Sequence, residues 1–212
     1  MGALRLHVVV VTGEGTVAGA RVVDTDAGSL RTLARSLAAA GVARVAVDAP
    51  SGLSTLPHAA DPALAAKFRG ARCGEVALGR QRGVWVPWVS PPGPPVAPWI
   101  EAGLAVFAAL DAAGVEGVET FPQAIFRAWS GGRRIPPKSR PEGIAARAGL
   151  LASAGIRDAS LAVWSHDGLD AAACALVARG PSVALTCGHD PSSIWVPAPA
   201  AGGGNDAGGA PQ

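Results

Sequence analysis

Five residues constrain the fold of this chain more than any other feature: "RVAVD", Arg44 to Asp48. An apolar run this short, between a helical stretch and a turn, reads as a central parallel strand. It ends in a carboxylate, and "APSGL" turns at once. Burying an unpaired charge is costly, so an aspartate at the tip of a buried strand has a partner or a task. The segments around it alternate in type. "LHVVVV" and "TVAGARVV", joined by "TGEG", predict a hairpin. "DAGSLRTLARSLAAAG" puts Leu30, Leu33, Ala34 and Leu37 on one helical face and stops at Gly41. "DPALAAKFRGARCGEVALG" reads as a helix with Asp61 at its N-cap and Pro62 at N1. A rigid loop follows, "VPWVSPPGPPVAP", with six prolines in 13 residues. "PWIEAGLAVFAALDAAG" repeats Ile100, Leu104, Phe107 and Leu110 as a helix, and "GVEGVETFP" is a strand ending in Glu119. "PQAIFRAW", Pro141 to about Ala154, and "HDGLDAAACALVARG" predict three more helices. Strands alternating with helices predict an α/β domain with a mixed sheet. That domain spans residues 1–197, and the Gly/Ala/Pro tail 198–212 is predicted to be disordered.

Composition narrows the function classes. Apolar residues make up 49% of the 212, enough for one sizeable core. Only 16% are charged and the net charge is +2, which is no electrostatic signature of nucleic-acid or membrane binding. The apolar run near Met1 is too short for a signal sequence or a membrane span. Cys73, Cys174 and Cys187 are odd in number and lack C-x-x-C spacing. This argues against a disulfide framework or structural zinc and for a reducing, cytoplasmic setting. "CGHD", Cys187 to Asp190, reads as a loop. His166 reads as a helix cap, and Trp129, Trp164 and Trp195 as packing residues.

The carboxylates carry the chemistry. Asp48 and Glu119 each end a central strand, and ligand sites form at the carboxyl ends of parallel strands. Asp167 and Asp170 share a helical face, away from the apolar stripe of Leu169, Ala173, Leu176 and Val177. Four carboxylates from three elements could converge on Mg²⁺ or Mn²⁺, hard ions that take oxygen ligands. The bland alternatives are a turn residue for Asp48 and a dipole-favoured position for Asp167.

Three blocks, "VAVDAPSGL", "VETFPQAIF" and "HDGLDAAACALVA", resemble the domain of unknown function 429 family, described as predicted nucleases with an RNase H-like fold. The resemblance rests on Asp48 and Pro50, Arg72 and Cys73, Glu119 and Pro122, and Asp167, Asp170 and Ala171. "SIWVPAP" is similar to the family's closing strand. It implies an RNase H-like mixed sheet flanked by helices, with Asp48, Glu119, Asp167 and Asp170 as catalytic metal ligands. Such a site would cut phosphodiesters with two ions, one activating water and the other stabilising the leaving oxygen. Phosphate contacts to nucleic acid or another phosphate-bearing substrate would fall to Arg133, Arg134, Lys138, Arg140 and Arg147.

The chain departs from that pattern twice. RNase H-like folds begin with three antiparallel strands, the first bearing a metal-binding Asp and lying mid-sheet between strands two and four. Only two strands precede the first helix here, and neither holds an internal Asp. Either that strand is missing, as a late start would cause, or Thr12 takes its place. The second departure is Cys73-Gly74, where relatives tend to have Cys-Asp. Without the bridging Asp the alternative is a degenerate RNase H-like module that binds without cleaving. "VAVDAPSGL" also resembles the epimerases that repair hydrated nicotinamide dinucleotides, but their Gly/Asn-rich phosphate loop is absent. "APSGL" lacks the first glycine of a nucleophile elbow, so Ser51 reads as a turn residue.

Overall fold

A computed structural model describes residues 4–199. The predicted disorder of the tail falls almost entirely outside them. The hairpin forms as expected: β1 (Arg5–Val11) pairs antiparallel with β2 (Val17–Asp24). Helix α1 (Ala27–Ala39) is capped by Asp26, whose carboxylate accepts from the Gly28 and Ser29 amides, and it buries the four predicted residues. β3 (Arg44–Val47) pairs in parallel with β4 (Glu116–Glu119), with Val47 opposite Glu119. The two predicted strand-end acids therefore leave neighbouring strands side by side.

The second helix differs from its sequence reading. Asp61 does not open a helix: its carboxylate accepts from the Ala63 amide and pairs with Arg80. Residues Ala66–Gly70 form one 3₁₀ turn, and helix α2 runs from Cys73 to Arg82. Local side-chain bonding competes with helix at Asp61, whereas Glu75 closes the real N-terminus by accepting from the Arg72 amide. Helices α3 (Pro98–Ala112), α4 (Pro122–Trp129), α5 (Pro141–Ser153) and α6 (His166–Arg179) match expectation, three of them with proline in the first turn. In α3 the buried stripe is Ile100, Gly103, Val106 and Leu110 rather than the predicted set. The N-cap of α6 is Ser165, which accepts from the Gly168 amide, not His166. A strand unread from sequence, β5 (Ser182–Leu185), pairs antiparallel with β6 (Ile194–Pro197), the closing strand that the resemblance implies, and this hairpin meets the end of β4 through Thr120 and Trp195.

The two hairpins and the parallel pair share one layer. Leu6, Val8 and Val10 of β1 join Val45 and Val47 of β3 against Leu33 and Leu110. Val9 and Val11 join Ala46 on the opposite face, against α6. Yet β1 and β3 are not bonded to each other; the described residues form three separate two-stranded sheets. Between β1 and β3 lies a cleft of about 960 Å³, floored by Ala171, Cys174, Ala175 and Ala178 of α6. Consecutive residues of both strands line it, so both strands turn their edges to it. The Thr120 amide donates to the Val47 carbonyl and the Glu116 amide to that of Ala43. Odd-numbered residues of β3 thus serve β4, and the backbone groups of Arg44, Ala46 and Asp48 point into the cleft.

Two substitutions probe this arrangement. A Cβ at Gly103 would clash with the Ala49 Cβ, beside the turn that carries Asp48. Gly103→Ala should therefore lower stability by about 1 kcal/mol or more, because overpacking outweighs the roughly 1 kcal/mol gained in helix propensity; urea unfolding checks it. Ala175→Leu places apolar volume in the cleft and should raise stability by about 1–2 kcal/mol, seen as a higher thermal midpoint.

Candidate metal centre

One end of the cleft is acidic. Asp48 arrives from the tip of β3, and Asp167 and Asp170 from the first turns of α6. His166, Asp167 and Asp170 each bring a ligand atom to within 4.8 Å of the others. Asp170 is buried, so it does not sit away from the core as the helical wheel suggested. With Ala171 and Cys174 it lines the cleft between β1 and β3.

No hydrogen bond or ion pair engages the Asp48 side chain among the described residues. Asp48 is an exposed residue, yet the protein packed around its carboxyl costs that group part of its solvation. That loss and the field of Asp170, with smaller pushes from Glu119 and Asp167, raise its pKa to about 7 against the opposing pull of Lys138. Among the described residues, Lys138 is the one lysine or arginine paired with these acids, its Nζ 2.8 Å from Asp170 Oδ2 and 4.0 Å from Asp167 Oδ1. Partial burial disfavours its ammonium, but the Asp170 bond and the fields of Asp167 and Asp48 outweigh that and hold its pKa above the ordinary value. Lys138 thus marks where positive charge is wanted. His7 Nε2 lies 3.9 Å from Asp167 at the rim.

Glu119 is arranged differently from the other predicted ligands. Its Oε2 accepts from the Ser51 amide, the Ser51 hydroxyl and Arg72 Nη1, and its Oε1 from Arg72 Nη2 at 2.6 Å. Both oxygens are engaged, Oε2 by three donors and Oε1 by one, so Glu119 is committed first to Arg72 and Ser51. It positions instead: through Ser51 it holds the turn "APSG" that presents Asp48. Arg72, 1% exposed, also bonds Glu75, which accepts from Ser90. Sequence reading linked Arg72 only to a family motif; a buried arginine between two acids far apart in the chain leaves no local pattern.

The basic residues divide. Arg133, Arg134 and Arg140 are exposed near Lys138 in sequence, and Arg133 Nε donates to the Ser130 carbonyl. Arg147 is corrected: it is buried, donates to the Pro136 and Gly143 carbonyls and lies over the Phe126 ring, so it does not face a phosphate. Thr12 accepts from the Thr16 amide in the β1–β2 turn and takes no strand's place. Trp129, Trp164 and Trp195 pack against the core as expected. The expectation against a disulfide is overturned: Cys73 and Cys187 are bonded, 114 residues apart in sequence, leaving Cys174 free and buried. No spacing rule reaches that far, because the pairing depends on the closing hairpin. No helix among the described residues is long and apolar enough to cross a membrane.

Comparison with known proteins bears on the motifs. Residues 100–189 match the model of the family described as "Protein of unknown function (DUF429)". Over that stretch the chain is similar to this family. The segment contains Glu119 and Pro122 and the Asp167, Asp170 and Ala171 block; the Asp48 turn and Arg72-Cys73 precede it. No curated protein and no solved structure matches the chain.

Proposed function

We infer that the acidic end of the cleft binds Mg²⁺ or Mn²⁺ and that the chain is a metal-dependent phosphodiester hydrolase of the RNase H-like class. Asp48 carries this reading: a strand-tip carboxylate without a partner, raised to about 7 among other acids, gains most from a divalent cation. Asp167 and Asp170 would complete an oxygen ligand set, with Lys138 displaced from Asp170 to become free for a phosphate. The ion would supply an activated water and charge stabilisation at the leaving oxygen. Glu119 acts here as a positioning residue. Exposed Arg133, Arg134 and Arg140 would neutralise substrate phosphates.

The RNase H-like fold is supported by the cleft itself. In that fold the first strand lies between the second and fourth, and the open edges of β1 and β3 face each other across such a gap. The same gap, with Glu119 tied to Arg72 and Lys138 on Asp170, favours the second reading, a binding module that does not cleave.

The deciding experiment incubates the chain with labelled single- and double-stranded DNA and RNA in Mn²⁺, beside Asp48→Asn and Asp170→Asn. Mn²⁺-dependent cleavage lost in both variants supports the hydrolase. Mn²⁺ binding without cleavage of any of these substrates supports the binding module.

A further inference from the structure

Away from the acidic site, the start of α2 and two loops bring Cys73, Cys187 and His58 together. Cys73 opens α2 and is fully buried, His58 follows the Asp48 turn and is 5% exposed, and Cys187 lies between β5 and β6. Their ligand atoms, the two Sγ atoms and a His58 ring nitrogen, all lie within 4.8 Å of one another. His58 Nε2 is 3.4 Å from Cys187 Sγ, and that sulfur is the only hydrogen-bonding partner of the ring among the described residues. His189 stands beside it, its ring 6.0 Å from that of His58 and nearly perpendicular. The His189 amide donates to Cys73 Sγ.

A disulfide needs no imidazole. A buried ring aimed at one of two adjacent sulfurs, with an amide donor on the other, is the arrangement of a metal–thiolate site and its outer support. We propose that, once the Cys73–Cys187 bond is reduced, Cys73, Cys187 and His58 bind one Zn²⁺, with exposed His189 within reach as the fourth ligand. Two thiolates with imidazole select a borderline-soft ion that takes four ligands, in contrast to the all-oxygen acidic site.

The chemistry balances in both directions. A dithiol reductant exchanges with the disulfide, giving two protein thiols and its own cyclic disulfide. Zn²⁺ then displaces two S–H protons and forms two Zn–S bonds and a Zn–N bond, with no electron transferred. Hydrogen peroxide reverses this: the two thiolates give up two electrons and form the disulfide, Zn²⁺ leaves, and the peroxide takes two protons to become two waters. The site is thus redox-gated. Its state bears on Arg72, the residue before Cys73, and through Arg72 on Glu119.

The test uses the full chain, reduced with a dithiol, desalted without oxygen and titrated with Co²⁺ and then Zn²⁺. One equivalent of Co²⁺ should give thiolate charge-transfer absorption with tetrahedral d–d bands, bleached by one equivalent of Zn²⁺. Cys187→Ser should abolish the charge-transfer band of the two-thiolate site. His58→Ala should weaken binding by more than the roughly 10- to 100-fold that loss of an outer-sphere partner costs. Cys174→Ala and Asp48→Asn should leave the spectrum unchanged. Circular dichroism of each sample checks folding. A folded, reduced wild type without the charge-transfer band overturns the proposal, as does His58→Ala binding as tightly as wild type; neither needs Cys187→Ser to fold.

Discussion

Replacing Arg72 with methionine should destabilise the chain by about 3–5 kcal/mol, the largest single-residue effect expected here. The guanidinium is 1% exposed and is the cation between Glu119 and Glu75, themselves 5% and 2% exposed. Methionine keeps most of the side-chain volume but leaves two buried carboxylates facing each other without a counter-charge. The cost is mostly theirs: desolvation is no longer offset, and the five bonds that Arg72 makes through its guanidinium and backbone amide to Glu119, Glu75 and Ser90 are reduced to the amide's one. Guanidinium unfolding measures the loss. Adding Glu119→Gln and Glu75→Gln to Arg72→Met should recover a large part of it. If Arg72→Met costs under about 1 kcal/mol, the network does not hold the Asp48 turn as described.

Asp48→Asn should abolish Mn²⁺ binding at the acidic site and remove one pH dependence of stability. The unfolded chain releases the Asp48 proton near the ordinary aspartate value, whereas the folded, ion-free chain releases it at about 7. Between those values the folded state holds the extra proton, so stability falls as pH rises through the window. Asparagine carries no such charge. The variant should therefore unfold at a higher temperature than wild type at pH 8 and at nearly the same temperature at pH 4. Cation affinity follows the same proton: Mn²⁺ must displace it, so wild-type affinity should drop by up to about tenfold per pH unit below 7. Titration calorimetry at pH 6 and pH 8 reads both. Equal Mn²⁺ affinity in wild type and Asp48→Asn would remove Asp48 from the site.

Much of the fold is legible in local pattern. The hairpin, α1 with its buried leucines, the Arg44–Val47 strand and the last helix follow from periodicity, because each buries one face whatever its neighbours. The reading failed where local bonding competes with helix, at Asp61, and where a strand is too short for alternation to show, at Ser182–Leu185. Asp48, Asp167 and Asp170 could be named because ligand sites form at the carboxyl ends of parallel strands and the last two acids share one helical face. Their differing environments could not. Glu119 looks like Asp48 in sequence, each at a strand end before a turn, yet one is locked by Arg72 and the other is left without a partner.

By itself, then, the sequence determined the order of most elements, the α/β character and the acids that could form a site, since these depend on residues a few positions apart. Tertiary structure alone decided which acids are neutralised, that Arg147 is buried, that Cys73 meets Cys187 and His58, and that β1 and β3 stand apart across a cleft. Each of those contacts joins segments tens of residues apart, and no local propensity encodes the distance between them.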